Sequence, residues 1–386
     1  MTGKKVAILG VGYAIPRVAT PELSYRELTY EAALKAYDEA GVHPRDIQSF
    51  TCCSEDFNEG TSIFDEYVPD QLGAPLKSVH TISGDGLQGL IAAYLQVLTG
   101  LFDIAVVEVH SKASNIVNHD EVLTFALDPI FNRPFKLTPH YVAGLEMNYY
   151  LNESGNTLEQ CAAVVVKNRA NALHNMLGVY GAKIDTKEVI DSEKVASPLT
   201  ALQMSQYADG SVVLVIVSEE KLKKLNPQIK PIWIKGVGWN SETSWLETHS
   251  WTEAVYTRLA AEQAYKMAGI KHPAKEIDIF EIDDTYAYKE LQHLESLGLC
   301  KKGEAGKLTV SGATAPKGTL PVNISGGSLG MGNFLEANGL YRTVAAVLQL
   351  RNEAGRIQRP NVKTALVHSW RGIPTTTGAV VILSNK

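Results

Sequence analysis

The sequence is short of cysteine, of basic residues and of long apolar runs. Its four cysteines include one adjacent pair, Cys52 and Cys53, and no paired spacing, so neither a disulfide scaffold nor a zinc site is indicated. Asp and Glu total 42 against 36 Lys and Arg, a net charge of -6 at pH 7, which argues against nucleic acid as the main partner because phosphate binding requires a basic face. The apolar run at residues 212–217 is far shorter than the ~18 residues of a membrane span.

The start of the chain is apolar but lacks the features of a signal peptide. Two lysines precede residues 6–9, which continue as Gly10-Val11-Gly12 without a small-residue cleavage site, so we expect a first strand here. With 45% apolar and 20% charged residues, the composition is that of a soluble globular protein. We therefore expect a cytoplasmic protein that has two or three domains, or one duplicated unit.

Five features of the first half of the chain recur in the same order in the second half. They are an apolar strand ending in Gly-Val-Gly-aromatic (6–13 and 232–239), a helix end closed by glycine (36–42 and 264–270), a second strand (46–50 and 276–280), an Ile-Ser-Gly turn before an apolar helix (82–86 and 324–328) and a last strand (104–111 and 364–369). Any two βαβ units contain the same types of element, but the identical order of all five features favours a duplication. The predicted fold is α/β, two βαβαβ units in a five-layer α/β/α/β/α body, with halves at 1–225 and 226–386.

A long insertion, residues 115–197, interrupts the first half. It holds predicted helices at 142–151 and 158–177, and a strand at 211–218 follows. Long insertions of this kind often cover a ligand site. A purely structural role or a role in dimer contacts is an equal alternative.

Several segments spread over nearly the whole chain resemble the thiolase superfamily, and specifically the archaeal and sterol-carrier-protein-type thiolases. They are residues 166–171 (VKNRAN), 197–200 (SPLT) with the later Asp209-Gly210, 261–270, 298–304 and 320–327. The resemblance implies the thiolase fold, coenzyme A as part of an acyl-CoA substrate, and a homodimer or tetramer. The cysteine and histidine spacing gives no reason to expect a metal. It also implies a small zinc-ribbon and OB-fold accessory protein as a partner in some assemblies.

Four motifs that carry thiolase chemistry are altered in this chain. Thiolases use a nucleophilic cysteine at a helix N-terminus, where the helix dipole lowers its pKa, and Ser83 occupies the corresponding position. The His-Asp-Cys-Phe motif becomes residues 283–286 (DDTY), Gly-His-Pro becomes residues 332–334 (GNF), and the C-terminal motif becomes residues 368–372 (HSWRG). We therefore expect no acyl-cysteine intermediate.

Each altered motif supplies candidate catalytic residues with a structural alternative. Ser83 could be a nucleophile, which would need a base such as His368. It could instead cap the helix that begins at residue 87, and we favour this second interpretation. Asp283, Asp284 and Tyr286 follow a predicted strand at 277–282 and could divide the acid and base roles between them. Retro-aldolases that resemble this family are thought to use a tyrosine, and Tyr286 is the candidate for that role.

The alternative is that Asp284 caps a helix at 287–297 and Tyr286 only packs. Asn333 could donate to a thioester oxygen, or could simply be a turn residue. His368 could equally be a core histidine, and Cys52 and Cys53 could be displaced nucleophiles or small buried residues.

A glycine-rich loop precedes the last long helix, which is predicted at 334–348. Ser325, Gly326, Gly327 and Gly332 lack the spacing of a dinucleotide fingerprint. The resemblance instead implies that their backbone lies close to the pantetheine arm or thioester.

Three functions fit the sequence. The first is C–C bond formation or cleavage on a CoA thioester by aldol or Claisen chemistry without an acyl-cysteine. The second is a non-catalytic thiolase-fold subunit of a CoA-binding complex. The third is acyl transfer through Ser83.

Overall fold

The computed structural model describes residues 4–55, 67–225, 227–372 and 376–386. Its strands are β1 (Val6–Tyr13), β2 (Ser49–Cys53), β3 (Ser78–Ile82), β4 (Ile104–Ser111), β5 (Lys194–Ala196), β6 (Leu199–Thr200), β7 (Gly210–Ser218), β8 (Ile232–Ser241), β9 (Ile279–Glu281), β10 (Thr364–Arg371) and β11 (Thr377–Ser384). Its helices are α1 (Tyr25–Ala40), α2 (Pro69–Leu72), α3 (Gly86–Thr99), α4 (His119–Thr124), α5 (Pro139–Ser154), α6 (Leu158–Ala172), α7 (Thr186–Ile190), α8 (Glu219–Leu225), α9 (Val255–Ala268), α10 (Pro273–Glu276), α11 (Ala287–Ser296), α12 (Ala305–Val310), α13 (Gly327–Met331) and α14 (Asn338–Arg351).

Nine of the strands formed by the described residues make one sheet, in the order β3-β2-β4-β7-β1-β8-β11-β10-β9. In the first half, β3, β2 and β4 are parallel, and β7 and β1 continue the sheet antiparallel. The second half repeats this pattern, with β9 parallel to β10 and with β11 and β8 antiparallel. The halves meet where Ala7 and Ile8 of β1 lie opposite Trp233 and Ile232 of β8. The two expected sheets are therefore joined edge to edge.

Alternating side chains of the strands face two layers of helices. Ala105, Val107 and Val109 of β4 belong to a core that includes α3 and α14, whereas Ile104 and Val106 face a core that includes α1. Helices α3 and α14 contact each other; α3 contacts strands of both halves and α14 contacts strands of the second half, while α9 covers β8 and β11. The long apolar helices thus lie between the halves, as the predicted layered α/β body requires.

The repeated Gly-Val-Gly signature has a packing origin. A Cβ at Gly10 or Gly12 would lie 2.1 or 1.9 Å from a carbonyl oxygen of α1. A Cβ at Gly236 or Gly238 would lie 2.2 or 2.0 Å from a carbonyl oxygen of α9. Each helix therefore rests directly on the backbone of its strand, and a larger residue would push the two apart.

Some element boundaries differ from the sequence prediction. Strand β9 has three residues, and α6 ends at Ala172 and not at residue 177. Helix α14 begins at Asn338 because Leu335 has φ +52°, a left-handed conformation that an α-helix cannot include. Among the described helices, none has the length and apolarity needed to cross a bilayer.

Candidate functional site

A cavity of about 250 Å³ lies where the insertion meets the loops at the ends of the second-half strands. The insertion supplies one wall from α4 and the start of α5, and residues 204–207 supply another. The remaining wall comes from residues 285–286, 333–338 and 370–372. The described lining residues are His119, Leu123, Pro139, His140, Met204, Ser205, Gln206, Tyr207, Thr285, Tyr286, Asn333, Leu335, Asn338, Trp370, Arg371 and Gly372.

An extended segment, residues 204–208, fixes two of the loops to each other. Ser205 N donates to the carbonyl oxygen of Thr285 at 2.9 Å. Asn333 N donates to Gln206 O at 2.7 Å, and Ala208 N donates to Asn333 O at 2.9 Å. Backbone hydrogen bonds therefore set the positions of the two motifs that the sequence singled out.

Tyr286 belongs to a hydrogen-bonded chain at the cavity wall. Its hydroxyl lies 3.0 Å from Nδ1 of His140, and Nε2 of His140 lies 3.0 Å from a carboxylate oxygen of Asp120. An ionised carboxylate only accepts hydrogen bonds, so Nε2 carries the imidazole proton and Nδ1 accepts from the phenol. The chain runs from the buried phenol, which is 6% exposed, to a carboxylate that is partly open to solvent.

Burial keeps the first two members of this chain neutral. It raises the pKa of Tyr286 well above its usual value, and nearby carboxylates and Tyr207 add to the shift. Burial also lowers the pKa of His140, against the opposing effect of Asp120. A neutral imidazole can accept the phenol proton, whereas an imidazolium could not.

Asn333 presents one donor to the cavity. Its Oδ1 accepts from Leu335 N at 3.0 Å and from Asn338 Nδ2 at 2.9 Å. These two bonds fix the orientation of the amide. Its Nδ2 forms no hydrogen bond with any described residue and is free to donate to a ligand.

Two further polar atoms of lining residues have no partner within the described part of the chain. They are the Ser205 hydroxyl and the Trp370 indole N–H, both in buried residues. Buried polar groups are nearly always hydrogen-bonded, so these two atoms are exceptions, and both are closed off from the open space of the cavity. Arg371 is different, because its guanidinium is paired with Glu55 and with Glu336.

Asp283 and Asp284 are in the core and do not line the cavity, which corrects their interpretation as an acid–base pair there. Arg342 Nη2 lies 2.8 Å from Asp283 and 3.7 Å from Asp284. Burial raises the pKa of Asp284 to about 7 although Arg342 opposes the shift. Asp284 accepts from the first turn of α13, Ser328 N and Leu329 N, and so does not cap α11.

His368 is a neutral core histidine. Its Nε2 lies 3.0 Å from Thr257 Oγ1, and its Nδ1 accepts from Asp283 N at 3.3 Å. Burial lowers its pKa well below the usual value, and neighbouring His293 adds to the shift. With both ring nitrogens occupied outside the cavity, it is not placed to act as a base there.

Ser83 does not cap α3, and it does not line the cavity. It is exposed in the bend before the helix, and the capping residue is Asp85. Asp85 accepts from Leu87 N at 2.8 Å and from Gly339 N at 3.0 Å. A single carboxylate thus joins the first turns of α3 and α14, the two central helices.

The glycine-rich loop packs against α6 and the core and lies outside the cavity lining. Ser325 donates to Glu281 at 2.5 Å. A Cβ at Gly326 would lie 2.6 Å from Ala172, and one at Gly327 would lie 2.2 Å from Asp284. Gly332 has φ +125° and sets the turn into Asn333. None of these four residues is among the residues that line the cavity.

None of the cysteines suits a nucleophile. Cys52 and Cys53 are buried in β2, and burial raises the pKa of Cys53 well above its usual value. Burial also raises the pKa of Cys300 to about 12. A high pKa keeps the thiol protonated and unreactive.

Among the residues that were not selected from the sequence are two that line the cavity, His140 and Trp370, and one behind its wall, Asp120. His140 and Asp120 come from the insertion, whose expected role over a ligand site was the available signal. Trp370 lies inside an altered motif. Among the described residues, no group of three His, Cys, Asp or Glu side chains is arranged to hold a metal.

Known proteins share sequence with most of this chain. A family model described as thiolase C-terminal domain-like matches residues 239–385. The acetyl-CoA acetyltransferase of Methanocaldococcus jannaschii is 30% identical over 342 residues, covering 86% of each chain. Sterol carrier protein 2 of Bos taurus is 28% identical over 408 residues, covering 99% of this chain and 72% of that protein.

Solved structures share the fold over its full length. An aldolase described as Ltp2-ChsH2(DUF35) superposes with a TM-score of 0.84 at 25% identity, covering 98% of this chain and 97% of that one. An acetyl-CoA acetyltransferase from Syntrophomonas wolfei superposes with a TM-score of 0.73 at 16% identity, covering 99% of each. The second likeness concerns the fold alone.

Proposed function

Because the chain belongs to the thiolase family, as its motifs predicted, we propose that it is an enzyme that acts on a CoA thioester. The proposed reaction makes or breaks a C–C bond by aldol chemistry, without an acyl-enzyme. The observation that carries the proposal is the chain from Tyr286 through His140 to Asp120 at the cavity wall. The aldolase that superposes at 25% identity supports the same reaction class.

In the cleavage direction the substrate is a 3-hydroxyacyl-CoA. Tyr286 removes the proton of the 3-hydroxyl group while its own proton passes to Nδ1 of His140. The C2–C3 bond breaks, C3 leaves as the carbonyl of an aldehyde or ketone, and the electron pair forms the enolate of the shortened acyl-CoA. C2 then accepts a proton from the Tyr286–His140 pair, which returns both groups to their starting state. Because the pKa of Tyr286 is raised, a free tyrosinate is costly and the two proton transfers must be coupled.

The enolate oxygen needs hydrogen-bond donors. Asn333 Nδ2 has no acceptor among the described residues. We assign it to the thioester oxygen, where negative charge develops, because a donor fixed in advance acts strongly in a buried site.

The cavity is sized for the reacting end of the substrate. Its volume of about 250 Å³ is below the ~300–1,000 Å³ usual for sites that enclose a whole ligand. Arg371, the cation among the described lining residues, is already paired with two carboxylates. The thioester therefore occupies the cavity while the CoA nucleotide lies outside it.

We also propose that the chain works with a small accessory protein. The superposed aldolase is described with a second component, ChsH2(DUF35), and an accessory chain could hold the nucleotide that the cavity leaves outside. The homodimer predicted from the resemblance remains a prediction.

The test measures cleavage of 3-hydroxyacyl-CoA esters without free CoA, by mass spectrometry of both products. Tyr286→Phe should lower kcat at least about 100-fold, the usual loss on removing a general acid–base group, and should leave the thermal midpoint unchanged. Tyr141→Phe is the matched control, since Tyr141 follows His140 on α5 but is exposed.

Cleavage of 3-ketoacyl esters that requires free CoA would indicate thiolysis instead. Substrate binding without turnover, with the co-purified partner present, would indicate a non-catalytic subunit.

A further inference from the structure

A second groove lies apart from the Tyr286 cavity and shares no lining residue with it. It consists of two adjoining cavities of about 490 and 450 Å³ that share His174, Arg356 and Ile357. One wall is the end of α6 and the turn after it, residues 170–176, and the other is residues 353–360 after α14. We refer to this feature as the α6–α14 groove.

One end of the groove is basic. Lys317, Arg356 and Arg359 line it, and none of them pairs with a carboxylate in the described part of the chain. Arg359 donates to the carbonyl oxygens of Pro316 at 2.6 Å and Gly318 at 3.2 Å. These bonds hold the guanidinium in place while leaving its charge without a counterion. Three uncompensated cations around one cavity attract an anion.

The middle of the groove is apolar and unusually exposed. Leu173 and Met176 are 41% and 66% exposed, and Ala345, Leu348 and Ile357 complete the lining there. A contiguous exposed apolar surface on a soluble protein usually marks a binding site.

The opposite end carries charges of both signs. A third cavity shares Met176 and Leu348 with the groove and is lined by Lys35, Asp38 and Glu39. Glu39 is paired there with Arg351 at 3.0 Å. The unpaired cations at the basic end therefore supply the charge that fixes the direction of an anionic ligand along the apolar stretch.

We propose that the α6–α14 groove binds an amphipathic carboxylate with a long apolar chain. The carboxylate lies against Lys317, Arg356 and Arg359, and the chain lies along Leu173 and Met176. Charge complementarity at the basic end and the aliphatic lining beyond it together select this ligand class. The site is independent of the proposed CoA-thioester chemistry at Tyr286.

The test is titration calorimetry with dodecanoate below its micelle concentration, with dodecanol and butanoate as comparison ligands. Dodecanoate should bind with one site per chain and at least about tenfold more tightly than either comparison ligand, which corresponds to about 1.4 kcal/mol. The double variant Lys317→Gln/Arg356→Gln should weaken dodecanoate binding at least about tenfold. Arg45→Gln/Lys275→Gln removes the same charge from exposed positions elsewhere and should change nothing.

A separate variant tests the apolar part. Met176→Glu places a carboxylate beside the proposed chain at a position exposed enough to tolerate it, and should weaken dodecanoate binding without lowering the thermal midpoint. The proposal is overturned if dodecanol binds as tightly as dodecanoate, because that is adsorption to apolar surface. It is equally overturned if the charge variant matches its control, or if no heat of binding is detected with the wild-type chain.

Discussion

Replacing Arg342 with methionine removes the cation that contacts Asp283 and Asp284 in the core. The side chain of Arg342 is 1% exposed and both carboxylates are fully buried. Arg342 Nη2 also donates to Ser328 Oγ at 2.5 Å, so the change releases the start of α13 as well. Methionine keeps an apolar stem but is shorter than arginine, so the perturbation is the loss of the charge together with a small cavity.

The expected loss of stability is large because the two carboxylates stay behind. Breaking a buried ion pair by removing one partner costs about 3–5 kcal/mol. The raised pKa of Asp284, about 7 in the folded wild type, should rise further without the guanidinium. A folded pKa above the unfolded one gives stability that is lost as pH rises, so the variant should be more destabilised at pH 8 than at pH 5.

Urea unfolding followed by circular dichroism measures the loss. Arg17→Met is the matched control, because Arg17 forms an ion pair with Glu22 at 2.6 Å but both are more than half exposed. That pair should contribute less than about 1 kcal/mol. If Arg342→Met lost no more stability than Arg17→Met, or lost it equally at both pH values, the assignment of Asp283 and Asp284 to a buried ion pair would be refuted.

The same unfolding assay tests three other features of the framework. Burial lowers the pKa of His249, but hydrogen bonds and charge from two glutamates outweigh it and raise the pKa to about 9. The stability that His249 contributes should therefore be complete below about pH 6.5, its usual pKa, and should be lost as pH rises through 9. If the free energy of unfolding differed by the same amount between the wild type and His249→Gln across that range, this reasoning would be contradicted. Gly327→Ala should cost more than about 3 kcal/mol, because it adds a clash to a left-handed conformation. Gly41→Ala, left-handed but with open space, should cost only about 1–2 kcal/mol, so equal losses would argue against the clash. Asp85→Ala should cost about 2 kcal/mol because two helices lose a cap, whereas Ser83→Ala should be neutral, and the reverse order would restore Ser83 as the cap.

The fold could be predicted because its determinants repeat in the sequence. The Gly-Val-Gly signatures at residues 10–12 and 236–238 mark the same close contact of a helix with a strand. The prediction of a thiolase fold is confirmed by the superposed structures. The edge-to-edge junction of β1 and β8 was not predictable, because two residue pairs leave no pattern in the sequence.

The candidate site was predictable only in part. Tyr286 and Asn333 lie in altered motifs, and both line the cavity. Their neighbours Asp283 and Asp284 have the residue types of catalytic groups, yet Arg342, far along the chain, draws them into the core. Residue type alone does not reveal whether a carboxylate at a strand end faces a cavity or a buried cation.

The partner of Tyr286 was hidden for a different reason. His140 and Asp120 come from the insertion, which has no counterpart in the second half and so offers no internal comparison. The contact of His140 with Tyr286 spans 146 residues of sequence. Long-range pairing of this kind depends on how the insertion folds over the second half, and the spacing of residues along the sequence does not predict it.

The most direct test of the account is a single-turnover reaction in deuterium oxide, without free CoA, with a 3-hydroxyacyl-CoA ester. Mass spectrometry would follow the products and the intact protein together. Aldol cleavage predicts a shortened acyl-CoA that carries one deuterium at C2, an equal amount of aldehyde or ketone, and an unchanged protein mass. A protein adduct with the mass of an acyl group, or a reaction that waits for free CoA, would contradict the claim that this thiolase-family chain works without an acyl-enzyme.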